Sequence, residues 1–187
     1  MSNIAVVYHS GYGHTAKVAQ AVAEGAKADL IAIDAEGNIT DAEWSKLDAA
    51  RAIIFGSPTY MGTVSWQFKK FADTSSKRWF ASEWQDKIAA GFTNSHSASG
   101  DKLSTLTYMM VFSMQHGMIW TGQTERGPDP TGTDVAKSTD INRVGSFSGL
   151  MTQANNESPE VSPPSGDIET AKLFGKRIAE ITGKFKP

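Results

Sequence analysis

The residues best suited to chemistry form a short turn near the start of the chain, Ser10-Gly11-Tyr12-Gly13-His14-Thr15. The turn joins a run of strand-forming residues to a stretch with helical spacing. Backbone N–H groups at such a helix N-terminus, together with the helix dipole, can bind a phosphate without any basic side chain. Glycine permits the close backbone approach that this requires, and hydroxyl and imidazole groups add hydrogen bonds. The turn therefore predicts a phosphate site.

Two common phosphate motifs do not match this turn. A Walker loop needs a lysine followed by Ser or Thr after four intervening residues, and the dinucleotide fingerprint needs a third glycine and a downstream acid. At this point an ordinary tight turn between a strand and a helix explains the glycines equally well.

Two further polar loops strengthen the phosphate interpretation. "GSPTYMGTVS" follows the third strand-like run, and "TNSHSASGD" follows the fourth. Pro58 stiffens the first of these loops and Gly62 gives it freedom, so its side chains could line a flat ring. Loops at the carboxyl ends of parallel strands meet at one sheet edge. Flavin mononucleotide (FMN) fits this arrangement, with its phosphate on the first turn and its ring on the other two loops.

The elements that must position these loops alternate between strand and helix. Strand-like runs occur at residues 4–8, 30–33, 52–56, 88–93 and 118–120. Most are continuously apolar, which suits a parallel sheet buried on both faces. Thr40 and Glu43 have the spacing of a capping box, and Gly117 and Gly183 lie where helix C-terminal glycines belong. The pattern predicts an α/β fold, a doubly wound parallel sheet with helices on two faces.

One long stretch interrupts this alternation. Residues 121–165 lack periodicity, are rich in Gly, Pro, Thr, Asn and Asp, and exceed the usual length of an α/β connection. We expect a single domain over residues 1–187 with this stretch as an irregular excursion. It could serve as a functional lid or as a contact between subunits.

Composition excludes several function classes. The chain has no cysteine, so disulfides, thiolate metal sites and cysteine nucleophiles are excluded, and redox chemistry needs a bound cofactor. The formal net charge of −2 leaves no basic field for nucleic acid or an anionic membrane. With no signal peptide or membrane-spanning stretch in the sequence, we expect a cytoplasmic protein without membrane insertion.

The motifs "SGYGHT", "GSPTYMG", "TNSHSASG" and "QHGM" together resemble, in order and spacing, the flavodoxin-like NAD(P)H:quinone oxidoreductases of the WrbA type. The resemblance covers nearly the whole chain. It implies a three-layer fold with a five-stranded parallel sheet in the order 2-1-3-4-5. It also implies FMN as cofactor, NAD(P)H as reductant, a small-molecule quinone as substrate, two-electron ping-pong kinetics, and a homo-oligomer, either a dimer or a tetramer.

The resemblance also implies roles for individual residues. The implied FMN-binding residues are Ser10, Gly11, Tyr12, Gly13, His14, Thr15, Pro58, Thr59, Tyr60, Met61, Gly62, Thr63, Asn94, Ser95, His96, Ser97, Ala98 and Ser99. Tyr12 and Trp79 would contact the substrate, and His116 would hydrogen-bond or protonate the quinone oxygen. Trp79 could equally be ordinary packing, and His116 could serve only the helix C-terminus. No pair of histidines has the spacing of a zinc site, so no metal is expected.

Three other functions stay open on the sequence. A one-electron carrier of the flavodoxin type normally docks through an acidic face, which a nearly neutral chain hardly supplies. An FMN reductase of another acceptor, such as a nitroaromatic or azo compound, contradicts no residue. A scaffold protein that uses the fold without flavin would be colourless. The chain also has Tyr60 and Met61 where the family usually has Arg and Phe, which leaves substrate and nucleotide preference open.

Overall fold

The structure is a computed structural model that describes residues 4–128 and 135–185. Its strands are β1 (Ile4–Tyr8), β2 (Asp29–Ala32), β3 (Ala52–Tyr60), β4 (Thr63–Val64), β5 (Ile88–Ser95), β6 (Ile119–Trp120) and β7 (Leu150–Gln153). Its helices are α1 (His14–Ala26), α2 (Asp41–Ala49), α3 (Trp66–Thr74), α4 (Ser76–Phe80), α5 (Lys102–Gln115) and α6 (Ser165–Lys184). Strand and helix alternate as the sequence pattern predicts.

The strand order is β2-β1-β3-β5-β6, and all of these neighbours are parallel. This confirms the predicted doubly wound sheet and its order 2-1-3-4-5. The fifth position is occupied by two segments, because β6 pairs with residues 88–89 of β5 and β7 pairs with residues 92–95. The short strand β4 folds back antiparallel on the end of β3. Connections from β1 and β3 thus diverge at the switch point where α/β sheets bind ligands.

Helices cover both faces of the sheet. Alternate strand residues such as Val6 and Ile54 pack with α1 and α6, while their neighbours Val7 and Phe55 pack with α2, α3 and α5. Helices α1 and α6 approach closely because Gly25 and Gly175 each face the backbone of the other helix, where a side chain would clash. Phe55 lies within an aromatic cluster on the other face. The two cores fix the sheet edge at which the polar loops meet.

The structure confirms some of the helix ends and strands predicted from the sequence and contradicts others. The capping box is confirmed, because the Glu43 N–H donates to Thr40 Oγ1 and the Glu43 carboxylate accepts from the Thr40 N–H. Gly117 follows α5 with a positive φ of 69°, as a helix-ending glycine does. The prediction for Gly183 is wrong, since α6 continues through Lys184. Strand β7 was not predicted, because its four residues lie inside the stretch without periodicity.

The described part of the excursion is fastened to its own chain by specific hydrogen bonds. Trp120 Nε1 donates to the Ser148 carbonyl at 2.7 Å, and Arg177 Nε donates to the Gly122 carbonyl at 3.0 Å. These bonds fasten the excursion to the β6 edge and to α6, before it returns to the sheet as β7. Its middle part, residues 129–134, lies outside the described residues, as do residues 1–3 and 186–187 of the predicted domain. Among the helices that are described, none combines the length and the apolar character needed to cross a bilayer.

Candidate flavin site

Four segments that follow β1, β3, β5 and β7 enclose a cleft of about 560 Å³ at the carboxyl edge of the sheet. Pockets for small molecules generally have volumes of about 300–1,000 Å³. The residues that line the cleft are Ser10, Tyr12, His14, Thr15, Pro58, Thr59, Tyr60, Asn94, Ser95, His96, Ala154, Asn155, Asn156 and Glu157. The three polar loops singled out in the sequence therefore meet in space, together with a fourth segment.

The first loop presents N–H groups at the start of α1. Ser10 Oγ accepts hydrogen bonds from the N–H groups of Gly13 and Ala16, both at 3.1 Å, and so organises the turn. Gly13 adopts a φ of 89°, a conformation that costs glycine little. Within the described part of the chain, the N–H groups of His14 and Thr15 have no acceptor. Two unpaired donors beside the Thr15 hydroxyl, at the positive end of a helix dipole, are the donor set that a phosphate needs.

Tyr60 lies against the same loop. A Cβ atom added to Gly11 would come within 2.6 Å of Tyr60 Oη, so the glycine makes room for the phenol. The rings of Tyr12 and Tyr60 meet edge to face, with their centroids 6.2 Å apart. Burial raises the pKa of Tyr60, which keeps the phenol protonated as a hydrogen-bond donor at neutral pH. Tyr12 is 78% exposed and forms the rim of the cleft.

Of residues 58–63, at the end of β3 and in the turn after it, only the first half reaches the cleft. Pro58, Thr59 and Tyr60 line it, and the Thr59 hydroxyl shares hydrogen bonds with those of Thr93 at 2.8 Å and Thr105 at 2.7 Å. These bonds tie β3 to β5 and α5 directly beneath the cleft. The predicted cofactor residues Met61, Gly62 and Thr63 do not line it. Met61 and Gly62 are the two turn residues of the β3–β4 hairpin, and Met61 is completely exposed.

The loop after β5 divides between two clefts. Asn94, Ser95 and His96 line the candidate flavin site. Ala98 and Ser99 instead line a neighbouring, more open cleft of about 900 Å³ beside α5, where Leu103, Arg143 and Met151 also lie. Ser97 is exposed between the two. The structure thus brings the first half of this predicted loop to the site and turns the second half away from it.

The sequence analysis missed the fourth wall, residues 154–157. His14 Nε2 donates to the Glu157 carbonyl at 2.8 Å, and the Lys17 ammonium pairs with the Glu160 carboxylate at 3.2 Å. Pro159 packs against Gly13, so this segment lies over the start of α1. The available signal was "LMTQANN", a short strand-like run followed by polar residues, as in the other three loops. This part of the excursion borders the cleft of its own chain.

His116 lies at the other edge of the sheet, which contradicts its predicted contact with a bound ring in the same chain. Helix α5 starts near the carboxyl end of β5, and fourteen residues carry it about 21 Å back. The His116 imidazole packs against Trp84 and Phe112, with centroid distances of 4.5 and 5.0 Å, and Nε2 shares a hydrogen bond with Ser75 Oγ. Burial lowers the pKa of His116 to about 4.

Trp79 is likewise not part of the cleft. It belongs to the short helix α4 and is half-exposed. Its neighbour Arg78 binds the Asp48 carboxylate at 2.9 Å, and Asp48 lies at the end of α2, just before β3 begins. This places Trp79 near the amino edge of the sheet. Within residues 4–128 and 135–185, no three histidine or acidic side chains are placed to hold a metal ion.

The chain belongs to the flavodoxin family, because the family model for the flavodoxin domain matches residues 5–124. Fold, sheet order and cleft together define a flavodoxin-like flavoprotein. The chain is 51% identical over 181 residues to flavodoxin FldP of Pseudomonas aeruginosa, with 97% of each chain covered. It is 29% identical over 208 residues to an NAD(P)H dehydrogenase (quinone) of Archaeoglobus fulgidus, with 98% of this chain and 99% of the relative covered.

A solved structure extends the comparison to three dimensions. The flavodoxin, WrbA-like protein of Agrobacterium tumefaciens superposes with a TM-score of 0.79 at 50% identity, and the match covers 100% of both chains. The predicted resemblance to flavodoxin-like proteins of the WrbA type is thereby confirmed. The named relatives divide between flavodoxins and quinone dehydrogenases, so family membership leaves the electron acceptor to be argued from the site.

Proposed function

We propose that the protein is an FMN-dependent NAD(P)H:quinone oxidoreductase. The observation that carries the proposal is the single cleft in which unpaired N–H groups at the start of α1 face a wall of hydroxyl, amide and aromatic side chains. That combination suits a ligand with a phosphate at one end and a flat ring at the other. Relatives at about 29% identity that are named NAD(P)H dehydrogenase (quinone) agree with it.

The donor set of the cleft fits FMN. The N–H groups of His14 and Thr15 and the Thr15 hydroxyl would hold the phosphate, with Ser10 fixing the turn. The loops of residues 58–60 and 94–96 would border the ring from two sides. FMN held by these residues would supply hydride-transfer chemistry between NAD(P)H and a quinone, and use of one cleft by both in turn would give ping-pong kinetics.

The rim of the cleft favours a flat, uncharged acceptor. Tyr12 is 78% exposed there, and its ring meets that of Tyr60 edge to face. A nicotinamide or a quinone can stack on aromatic and apolar groups of this kind. Among the described residues, Glu157 alone contributes a carboxylate to the lining.

His96 replaces His116 as the proposed proton donor to the quinone. Two histidines line the cleft, His14 and His96, and His14 is engaged with the Glu157 carbonyl. The His96 backbone is held by Gln153 Nε2, which donates to the His96 carbonyl at 3.1 Å, while its side chain is exposed at the cleft. A protonated imidazole at this position could hydrogen-bond a quinone oxygen and deliver a proton to it.

A one-electron carrier is the second candidate, favoured by the name of the 51% identical relative, flavodoxin FldP. The net charge of −2 argues against it, since docking of carriers on protein partners generally relies on a strong charge of one sign. Reduction of another small acceptor, such as a nitroaromatic or azo compound, would use the same cleft.

Anaerobic stopped-flow reduction of the FMN-reconstituted protein tests the proposal. We expect NADPH or NADH to bleach the flavin absorbance rapidly and benzoquinone to restore it fully. Failure to bind FMN would overturn the proposal. Binding without reduction by either nucleotide would favour the carrier, and faster reoxidation by a nitroaromatic or azo compound than by any quinone would favour the other reductase.

Two histidine variants test the proton donor. We expect His96→Gln to slow reoxidation by benzoquinone at least tenfold, since general acid catalysis contributes about 10²–10⁴-fold. FMN affinity should change little, because the backbone of the loop keeps its bond from Gln153. His116→Gln is the matched control and should reoxidise at the rate of the unmodified protein. A slow His116→Gln beside a fast His96→Gln would restore the assignment made from the sequence.

A further inference from the structure

Lys102, the first residue of α5, is a fully buried lysine just behind the candidate flavin site. Its ammonium uses all three donors on the preceding loop. Nζ donates to Ser95 Oγ at 2.9 Å, to the Ser97 carbonyl at 2.8 Å and to the Ala98 carbonyl at 2.9 Å. Burial of an ammonium group costs folding free energy even when it is hydrogen-bonded. An apolar side chain at this position would therefore cost less folding free energy.

The three bonds fix the shape of the loop. Because a trans peptide points its N–H opposite to its C=O, carbonyls of Ser97 and Ala98 that face Lys102 turn the N–H groups of Ala98 and Ser99 away from it. Those two N–H groups have no acceptor within the described residues. The same loop contributes Ser95 and His96 to the cleft. One side chain therefore holds the loop that forms one wall of the site.

The positive charge of Lys102 is not cancelled by a bonded carboxylate. The charge of Asp167 acts on Lys102, but the Asp167 carboxylate accepts from Arg143 Nε at 2.7 Å and from the Gln153 N–H at 2.8 Å. The direct partners of Lys102 are neutral oxygens. Lys102, Arg143 and Asp167, the less exposed charged groups here, together carry a net positive charge, whereas the carboxylate of Asp101 is exposed to solvent. Burial lowers the pKa of Lys102 to about 8, which leaves the side chain mostly protonated at pH 7.

We propose that Lys102 is a positioning residue for the flavin: it holds the loop of residues 95–99, whose residues Ser95 and His96 would border the ring, and it raises the flavin reduction potential. This inference rests on the proposed function. Reduction adds negative charge to the ring, and a cation in a poorly solvated position stabilises added negative charge. A raised potential suits an acceptor of hydride and opposes the low-potential chemistry of a one-electron carrier.

The test compares Lys102→Met and Lys102→Arg with a matched control, Lys87→Met. Lys87 is another lysine with lowered pKa, and its ammonium donates to the backbone carbonyls of Leu47 and Asp48 at the opposite sheet edge. The measurements are FMN affinity by fluorescence quenching and the two-electron midpoint potential by anaerobic redox titration. Circular dichroism establishes which variants are folded.

We expect Lys102→Met to bind oxidised FMN about tenfold more weakly, and reduced FMN about tenfold more weakly again. The second factor equals a fall of about 30 mV in the two-electron potential. Lys102→Arg should keep the potential near that of the unmodified protein, since the charge is retained, while FMN affinity falls because a planar guanidinium fits these three acceptors less well. Lys87→Met should leave both quantities unchanged.

An unchanged potential in folded Lys102→Met, or an equal fall in Lys87→Met, would overturn the charge role. If Lys102→Met does not fold, Lys102→Arg and Ser95→Ala, which deletes one acceptor, decide the loop role through FMN affinity. If the unmodified protein binds no FMN, the proposed function fails instead. Backbone chemical shifts of residues 95–99 in the flavin-free protein then test the loop alone, and equal shifts in Lys102→Arg and the unmodified protein would overturn it.

Discussion

The imidazole of His116 packs between Trp84 and Phe112, with Nδ1 buried and without a hydrogen-bond partner in the described structure. A protonated ring at this place would have to carry its charge among aromatic side chains, with only Ser75 Oγ beside Nε2. The neutral form is therefore strongly preferred in the folded chain. In the unfolded chain the same side chain titrates near pH 6.5.

The pH dependence of stability follows from this difference. The pKa of His116 is about 4 in the folded chain, below its unfolded value, so the unfolded chain binds the proton first. The folded state consequently loses stability as pH falls from about 6.5 toward 4. We expect His116 to account for about 2 kcal/mol of the loss in unfolding free energy between pH 7 and pH 5. Urea unfolding at the two pH values measures it.

His116→Gln supplies the control for this prediction, because an amide can keep a hydrogen bond to Ser75 and does not titrate. The variant should lose less stability than the unmodified protein between the two pH values, by about the same 2 kcal/mol. Identical losses in both proteins would contradict the prediction and would show that His116 titrates normally.

At the scale of elements, the β3–β4 hairpin turns on Met61 and Gly62, whose φ angles are 47° and 85°. A two-residue turn with both φ angles positive is of the kind that strongly favours Asn-Gly. Methionine at the first position carries a steric cost that asparagine largely avoids. Ser104 Oγ also donates to the Gly62 carbonyl and so holds the tip of the hairpin on α5.

We expect Met61→Asn to raise the unfolding free energy by about 0.5–1 kcal/mol. FMN affinity should stay unchanged, since the Met61 side chain lies outside the cleft. Thermal unfolding and an FMN titration measure the two effects. Met114→Asn, on the exposed face of α5, is the matched control and should lower stability slightly, because asparagine is a poorer helix former. A loss of FMN affinity in Met61→Asn would instead support the sequence-based expectation that Met61 borders the ring.

The positions of the strands and helices also explain which site residues could be predicted from the sequence. Ser10, Pro58 and Asn94 lie in one cleft, as we expected from the sequence, because each lies at or just after the carboxyl end of a strand and such ends of a parallel sheet share an edge. His116 was assigned from a motif without regard to helix length, and α5 carries it to the opposite edge. Ala98 and Ser99 were assigned to the flavin site together with the rest of their loop. The loop bends where the Ser97 and Ala98 carbonyls accept hydrogen bonds from the Lys102 ammonium, and the sequence pattern did not indicate these bonds.

At the scale of the whole molecule, the excursion divides the fifth strand without displacing it. Trp120 ends β6 opposite Ala89, and Leu150 begins β7 opposite Phe92, so the two segments follow one another along the same edge of β5. Only two strand positions separate them. Thr121, whose N–H donates to the Ala89 carbonyl, and Gly149, which lies against the Gly91 carbonyl, already occupy that gap.

Joining Thr121 directly to Gly149 should therefore restore a continuous fifth strand. We expect the shortened chain to fold and to bind FMN within about tenfold of the full chain, because the described residues that line the cleft all lie outside residues 122–148. It should be less stable by about 3 kcal/mol, since Asp167 loses the guanidinium of Arg143 and stays buried.

Adding Asp167→Asn to the shortened chain tests that account of the lost stability. The amide needs no counter-charge, so urea unfolding should show that this substitution recovers part of the lost free energy. The same substitution in the full chain should be destabilising, because there it leaves the Arg143 guanidinium without its carboxylate. Light scattering of both lengths also tests the predicted dimer or tetramer. A shortened chain that keeps its helical circular dichroism but binds no FMN would show instead that residues 122–148 also contribute to the site.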